Sequence, residues 1–212
     1  PGVIHVAART IATHALSIFG DHSDLYACRQ TGAAIWITAS VQEVMDLSPI
    51  AHLCALAGQL PFLNCFDGFR TSHELQKIRV WDMQTLAGLA DDTSLKRFRE
   101  RALAPGHARI YGSAQNPDIF FQNREAANPR YLALPDIVED RLARINALLG
   151  TSYGLFDYYG HPEATHVIVA MGSICETIRE YLDSVPDSPC GVICVHLYRP
   201  FSIRHFIEKL PK

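Results

Sequence analysis

The chain has little of what marks a nucleic-acid-binding, membrane or secreted protein. Lys and Arg number 19 against 22 Asp and Glu, and the formal net charge is -3. A charge balance of this kind offers no basic surface to nucleic acid or anionic lipid. No apolar run approaches the roughly 20 residues that span a bilayer, and the amino terminus lacks the basic stretch of a secretory signal. We expect a globular protein that binds neither nucleic acid nor membrane.

Cysteine is present, but it lacks metal-binding spacing. None of the six cysteines forms a Cys-x-x-Cys pair, and the two nearest to each other, Cys190 and Cys194, have the wrong spacing for zinc or iron-sulfur loops. Most of the six lie in apolar runs, where a free cysteine behaves as a small hydrophobe. The pattern predicts no metal site in this chain and favours a reducing, cytoplasmic location.

The composition allows a sizeable core. The chain has 212 residues, of which 48% are hydrophobic and 19% charged, enough for one large domain or one and a half. Its first residue is not Met, and residues 3–8 already have the character of a core strand. Residues 206–212 are typical of an amphipathic helix that Pro211 stops. We therefore expect an internal fragment of a longer polypeptide.

Alternating strands and helices are predicted for the first part of the chain. Three apolar runs are typical of buried strands, at residues 3–8, 33–38 and 60–66. Ser40 and Glu43 have the spacing of a capping box, which predicts a helix over about 41–56 that ends near Gly58. Pro49 should kink or split that helix. The last two strands and this helix predict a right-handed unit with parallel strands.

The middle of the chain predicts less regular structure. Residues 73–104 are charged and predict short surface helices. Residues 105–135 are rich in Asn, Pro and Gly, which predicts a long irregular segment, either functional or packed as an arm over a partner. Residues 135–149 predict an amphipathic helix that ends at Gly150.

A second strand-helix-strand unit is predicted near the end of the chain. Residues 166–171 and 192–197 are typical of strands. Between them, Ser173 and Glu176 have capping-box spacing and predict a helix to about Leu182. We place a domain boundary between residues 153 and 163, so the fold class is α/β with domains at 1–155 and 160–212.

Arg9 is the strongest candidate for binding a ligand. It follows the first predicted strand directly, at the carboxyl edge of the sheet, where ligands of parallel sheets bind. A planar guanidinium holds a carboxylate through two parallel hydrogen bonds. The alternative role for Arg9 is an internal salt bridge.

Residues 67–74 follow the third predicted strand and also have two interpretations. A catalytic interpretation uses His73 and Glu74. A structural one has Arg70 and Asp67 fixing the turn, with a hydroxyl residue capping the next helix. We favour the structural or domain-contact role.

Three other groups of residues are weaker candidates. Residues 20–24 bring carboxylate, imidazole and hydroxyl groups together, which would suit a metal-binding loop or proton transfer by His22. We favour a turn in which the Asp and Ser side chains bond to their own backbone. Cys194 and His196 share one face of a strand, which favours core packing. The turn at residues 172–173 could meet an anion at a helix N-terminus, but a plain capped helix is the default.

Several runs together resemble pyruvate:ferredoxin (flavodoxin) oxidoreductase, and the resemblance covers essentially the whole chain in one order. The runs are HVAAR at 5–9, THALSIFGDHSD at 13–24, SVQE at 40–43, DGFRTSHE at 67–74, AQNPDI at 114–119, LFDY at 155–158, MGS at 171–173, CETI at 175–178 and LYRPF at 197–201.

The resemblance implies a fold for each part of the chain. Residues 1–155 resemble the later part of a parallel-sheet domain that holds the pyrimidine side of thiamine diphosphate, with a long irregular arm. Residues 160–212 resemble the start of a transketolase C-terminal-like α/β domain. The domain that binds the diphosphate, and most ligands of the [4Fe-4S] clusters, would lie outside this chain, so we do not expect it to be active alone.

The resemblance also implies an activity: oxidative decarboxylation of pyruvate to acetyl-CoA with reduction of ferredoxin or flavodoxin. The implied cofactors are thiamine diphosphate with Mg²⁺ and [4Fe-4S] clusters, with coenzyme A as co-substrate. A cytoplasmic homodimer of anaerobic and nitrogen-fixing metabolism is implied too. Arg9 would bind the pyruvate carboxylate, and Ile18 would line the pocket beside the substrate methyl unless it is a core residue. The alternatives are another 2-oxoacid as substrate, or a non-catalytic docking or dimerisation module.

Overall fold

The computed structural model describes residues 2–108 and 112–212, which form a mixed α/β structure. The strands are β1 Val3–Ala8, β2 Ala34–Ile37, β3 Phe62–Asp67, β4 Phe156–Gly160, β5 His166–Ala170, β6 Cys190–Val195 and β7 Leu197–Arg199. The helices are α1 Ser23–Cys28, α2 Val41–Gly58, α3 Arg70–His73, α4 Met83–Gly88, α5 Asp92–Glu100, α6 Pro117–Glu125, α7 Asn128–Leu149, α8 Ile174–Ser184 and α9 Ile203–Ile207.

The first sheet has the strand order β1-β3-β2-β7. β1, β2 and β3 are parallel, as predicted, and β2-α2-β3 is the predicted strand-helix-strand unit. Ala8, the last residue of β1, lies opposite Asp67, the last residue of β3. The carboxyl ends of these two strands therefore meet at one edge of the sheet.

The second sheet has the order β4-β6-β5. β5 and β6 are parallel and α8 connects them, which confirms the second predicted unit, while β4 is antiparallel to β6. The predicted strand at 192–197 is two strands, because after β6 the chain continues into β7, which pairs antiparallel with β2 of the first sheet. The division into domains at 1–155 and 160–212 stays a prediction.

The start of α2 has the predicted serine cap, but Glu43 reaches back to the residue before the cap and not to the cap itself. Ser40 Oγ accepts a hydrogen bond from the backbone N–H of Glu43 at 3.2 Å. The Glu43 carboxylate reaches back and accepts the N–H of Ala39 at 2.6 Å. The amide of Glu43 in the first turn, which has no partner within the helix, and the amide of Ala39 just before the cap are thereby satisfied.

The rest of α2 is one helix that ends at Gly58, as predicted. Of the two effects predicted for Pro49, the split does not occur, since the helix runs unbroken from Val41 to Gly58 and buries Leu47 and Ile50 on either side of the proline, while the kink stays a prediction. Burial of this apolar face outweighs the hydrogen bond that proline removes. The left-handed residue that ends the helix is Gln59, with φ 57°.

The irregular segment predicted at 105–135 is wrong over most of its described part, since α6 and the first turns of α7 lie there. Residues 109–111 of that segment lie outside the described residues. Pro117 and Pro129 stand in the first turns of their helices, where a missing N–H costs nothing and the fixed φ suits the helix. Asn-Pro pairs mark helix starts here. α7 ends as predicted, at Gly150 with φ 67°.

One large apolar core joins the two sheets. It contains Trp36 and Phe62 of the first sheet, Phe156 and Ile193 of the second, and Leu134 of α7, all at most 1% exposed.

The last helix is α9, which ends at Ile207 and therefore lies earlier than the helix predicted at 206–212. Among the described residues, no helix has both the length and the apolar character to cross a bilayer.

Candidate functional site

The candidate site lies at the carboxyl edge of the first sheet. β1 delivers Arg9 to this edge and β3 delivers Asp67, and the N–H of Gly68 donates to the carbonyl of Ala8 at 2.9 Å. The structure therefore places Arg9 at the edge where the sequence predicted it, next to the turn that follows β3.

The backbone and side chain of Arg9 are both held in place. Its N–H donates to Asp24 Oδ2 at 3.1 Å, and Arg9 forms an isolated antiparallel bridge with Gly20. The side chain crosses over Gly68. A Cβ at position 68 would lie 2.7 Å from Arg9 Nε and 2.7 Å from the Ala8 carbonyl oxygen. Only glycine leaves room for this path of the arginine.

The guanidinium of Arg9 has unused hydrogen-bonding capacity. Its Nε is buried and has no hydrogen-bond partner. Among residues 2–108 and 112–212 no carboxylate forms an ion pair with Arg9, so the internal salt bridge considered as an alternative is not formed within them. A permanent cation with an unsatisfied donor, half-buried at a sheet edge, is suited to an anionic ligand.

Ile18 lies in the segment between β1 and α1 and is 44% exposed. The next residue, Phe19, contacts Phe69 edge to face, with ring centroids 5.0 Å apart. The segment that carries Ile18 therefore lies along the turn that follows β3. Its role beside a ligand stays a prediction.

Asp67 has partners that the sequence did not predict. Its carboxylate lies 3.4 Å from His22 Nε2 and accepts the backbone N–H of Ser173, whereas Arg70, which was predicted to fix the turn together with Asp67, is exposed on α3. Burial alone would raise the pKa of Asp67, but the hydrogen bonds from His22 and Ser173 outweigh it and hold the pKa below its usual value. Asp67 is therefore a buried carboxylate that stays ionised.

The start of α8 has a cap from another part of the chain. The predicted capping box of Ser173 and Glu176 does not form, because the Ser173 side chain makes no cap bond and Glu176 pairs with Arg179 at 2.7 Å. Asp67 supplies the cap instead, so the anion predicted as a possibility at this helix N-terminus is a carboxylate of the first sheet. Gly172 permits the contact: its φ is 80°, and a Cβ there would lie 2.8 Å from Asp67 Oδ2.

The other candidates have structural roles. Asp21 Oδ1 accepts the Ser23 N–H at 2.6 Å, which confirms the self-bonded turn at residues 20–24. Among the described residues, one group of ligand atoms is close enough to share a metal ion, that of Asp136, Glu139 and His205. The guanidinium of Arg204 contacts Asp136 and lies 3.1 Å from His205 Nε2. The positive charge near these ligand atoms is therefore supplied by an arginine side chain.

His196 is fully buried, which confirms its predicted core position, but the sequence did not indicate its charge. Nδ1 donates to the carbonyl of Ile37 at 2.8 Å, and Nε2 lies 3.2 Å from Asp157 Oδ2. Burial alone would lower the pKa of His196, but the carboxylates of Glu43 and Asp157 outweigh it and raise the pKa to about 9. The ring is therefore an imidazolium that joins α2 to β4.

The cysteines also have the roles predicted for them. All six are free thiols, and Cys54, Cys65, Cys175 and Cys194 are buried. Burial raises the pKa of Cys54 to about 12, so this thiol stays protonated and unreactive near neutral pH.

Two features of the site were missed, the contact of Asp67 with Ser173 and the passage of Arg9 over Gly68. The sequence carried one signal for both. An Asp-Gly pair stands directly after a buried apolar strand, where a carboxylate faces the ligand edge and a missing Cβ allows close approach.

Comparisons with known proteins agree on one family. A family model described as "Pyruvate flavodoxin/ferredoxin oxidoreductase, thiamine diP-bdg" matches residues 1–142. The chain is 55% identical over 214 residues to a pyruvate-flavodoxin oxidoreductase of Enterobacter agglomerans. It is 54% identical over 213 residues to a pyruvate:ferredoxin oxidoreductase of Moorella thermoacetica. Each match covers 100% of this chain and 18% of the relative, so the chain spans about a fifth of the length of these proteins.

A solved structure shares the fold. It is a 2-oxoglutarate:ferredoxin oxidoreductase from Magnetococcus marinus, determined with 2-oxoglutarate, coenzyme A and succinyl-CoA bound. The TM-score is 0.59 at 16% sequence identity, and the match covers 97% of this chain and 39% of that one. At this identity the likeness supports the predicted α/β fold alone.

Proposed function

Because this chain belongs to the pyruvate flavodoxin/ferredoxin oxidoreductase family, whose thiamine-diphosphate-binding model spans residues 1–142, we propose that it is the part of such an enzyme that holds the substrate carboxylate. The reaction of the whole enzyme is the oxidative decarboxylation of pyruvate to acetyl-CoA, with ferredoxin or flavodoxin reduced.

The observation that carries this proposal is the state of Arg9. Its guanidinium lies at the carboxyl edge of the parallel strands, has a buried Nε without a partner, and forms no ion pair within the described residues. A carboxylate that accepts two parallel hydrogen bonds from the guanidinium would satisfy its donors and neutralise its charge. The residues present therefore fit an anionic substrate.

The role of Arg9 is to orient the substrate. Thiamine diphosphate, when bound, supplies the nucleophilic carbon and the electron sink for decarboxylation. Holding the carboxylate by two hydrogen bonds fixes the direction in which the keto carbon is presented, and such orientation contributes to the rate. The half-buried position of Arg9 strengthens the interaction, because the local dielectric is lower than that of water.

Ile18 would line the pocket beside the substrate methyl. The contact of Phe19 with Phe69 supports this, since it holds the Ile18 segment along the same edge as Arg9. An apolar side chain at that point would favour a methyl group over a charged one, and pyruvate over a dicarboxylic 2-oxoacid.

The wider assignments rest on the family. They are Mg²⁺ with the thiamine diphosphate, [4Fe-4S] clusters elsewhere in the polypeptide, coenzyme A as acetyl acceptor, a homodimer, a cytoplasmic location, and a place in anaerobic or nitrogen-fixing metabolism. The proposed division of the fold is a partial pyrimidine-side domain at 1–155 and the start of a transketolase C-terminal-like domain at 160–212.

The test is substitution of Arg9 in the complete enzyme. Arg9→Ala should lower kcat/KM for pyruvate about 10- to 100-fold, the loss expected for a hydrogen bond to a charged group. Arg9→Lys keeps the positive charge but loses the pair of parallel N–H donors, so its kcat/KM should lie between those of the unaltered enzyme and Arg9→Ala. Arg97→Ala, at an exposed position of α5, is the matched control.

Initial rates of pyruvate-dependent ferredoxin or flavodoxin reduction, each with coenzyme A, measure the effect. Unchanged kcat and KM in folded Arg9→Ala enzyme would contradict the carboxylate role and favour a docking module without chemistry of its own. Faster turnover of 2-oxoglutarate than of pyruvate by the unaltered enzyme would show that the substrate is another 2-oxoacid.

A further inference from the structure

The carboxylate of Asp67 joins three separate segments of the chain. It lies 3.4 Å from His22 Nε2 of the loop after β1, and it accepts the N–H of Ser173 at the start of α8. Asp67 is only 8% exposed. Asp67 forms no ion pair with Arg9, so any effect of Asp67 on the guanidinium passes through these segments.

Two glycines let the backbones of those segments approach Asp67. A Cβ at Gly20 would lie 3.4 Å from Asp67 Cβ, and a Cβ at Gly172 would lie 2.8 Å from Asp67 Oδ2. The segment before α1 and the turn before α8 therefore both pack directly on this side chain.

The same contacts determine where Arg9 can lie. Gly20, which packs on Asp67, is bridged to the backbone of Arg9. Gly68, the residue after Asp67, lies under the Arg9 side chain and donates its N–H to Ala8. Movement of Asp67 would shift both surfaces on which Arg9 rests.

We propose that Asp67 is a positioning residue, which holds the Arg9 guanidinium at the point where it meets the substrate carboxylate and connects that point to the start of α8. This inference rests on the proposed function of Arg9. A cation fixed before the substrate arrives loses less conformational freedom on binding, so affinity for the carboxylate is higher.

The test compares pyruvate with methyl pyruvate, an ester without a carboxylate, in the complete enzyme. Asp67→Ala should raise KM for pyruvate about tenfold, since the Ser173 N–H loses its acceptor and the Arg9 support loosens. The ester has no carboxylate to lose as carbon dioxide, so it is measured as a competitive inhibitor. Its inhibition constant should change less than about twofold, because Arg9 has no anion to hold there. Asp67→Asn keeps an acceptor for Ser173 and should restore much of the pyruvate affinity.

Asp187→Asn, at an exposed turn, is the control for loss of a carboxylate and should change neither the KM for pyruvate nor the inhibition constant of methyl pyruvate. An equal rise in both constants in Asp67→Ala would overturn the inference, since it would indicate a general structural defect. If Asp67→Ala does not yield folded enzyme, His22→Gln carries the same comparison, because it removes the imidazole that Asp67 contacts.

The double variant separates this inference from the proposed function. If Asp67 acts through Arg9, Asp67→Ala should have no further effect on pyruvate KM in an Arg9→Ala background. A full additional tenfold rise there refutes the positioning role and leaves the role of Arg9 standing. If Arg9→Ala alone has no effect, the carboxylate role fails and the positioning role fails with it.

Discussion

Gly68 offers a sharp test of whether the path of the Arg9 side chain matters. In Gly68→Ala the new methyl group would lie 2.7 Å from Arg9 Nε and 2.7 Å from the Ala8 carbonyl oxygen, and closer still to Arg9 Cγ. The contacts with Arg9 force the arginine side chain to leave its place, and the contact with the β1 carbonyl, which cannot move aside cheaply, keeps the new methyl group on that path. We expect kcat/KM for pyruvate to fall about 10- to 100-fold, the loss expected when a charge-assisted hydrogen bond is broken.

The assay is the initial rate of pyruvate-dependent ferredoxin reduction by the complete enzyme, with thermal unfolding recorded to show that the variant is folded. Gly88→Ala is the matched control, because a Cβ at Gly88, the last residue of α4, would have no atom within 4 Å apart from its chain neighbours and the backbone of its own helix. A folded Gly68→Ala enzyme with unchanged kcat/KM would refute the argument. The reasoning also requires that Gly68→Ala adds no loss in an Arg9→Ala background.

Three further predictions concern stability, and hydrogen exchange in the complete polypeptide measures each of them. Glu43 and Asp157 raise the pKa of His196 from 6.5 to about 9. The contribution of His196 to the free energy of unfolding is therefore complete below pH 6.5 and is lost as the pH rises through 9. About 3 kcal/mol of local protection should disappear over that interval, and a flat profile would contradict the charged state. Ser40→Ala should remove about 1 kcal/mol from the start of α2; unchanged protection there would mean that the cap contributes nothing. Gly160→Ala, at φ 128° with Cys190 O 2.7 Å from the new Cβ, should cost about 1 to 3 kcal/mol through strain alone, and wild-type protection in β4 would refute that estimate.

Elements whose signal is local could be predicted from the sequence. The apolar runs of β2 and β3 are buried strands because adjacent positions on both faces are packed. β1 is a strand as predicted, but its predicted burial is wrong, since it lies at the edge of the sheet and Ile4 is 62% exposed. The serine cap of α2 needs only residues within four positions of one another. The helix between β2 and β3 predicted their parallel pairing, and the position of Arg9 directly after β1 predicted its place at the carboxyl edge.

Features that depend on distant contacts could not be predicted in this way. The sequence suggested that Asp67 fixes its own turn together with Arg70, but Asp67 accepts the N–H of Ser173, which is 106 positions away. The strand expected at 192–197 changes sheet at His196 because β2 offers an unpaired edge, which no local pattern reveals. Segment 105–135 was misjudged because Asn-Pro pairs occur in turns as well as at helix starts, and packing decides between them.

The return of β7 to β2 has a consequence for how this segment can be cut or recombined. Ile35 pairs with Arg199 and Trp36 with Leu197, so the last strand closes one border of a sheet whose other strands come from the first 67 residues. A truncation at the sequence boundary near 155 would strip that border and leave β2 with exposed amides and carbonyls, ready to pair with another chain and aggregate. Expression of residues 1–155 alone should therefore graft back residues 197–199.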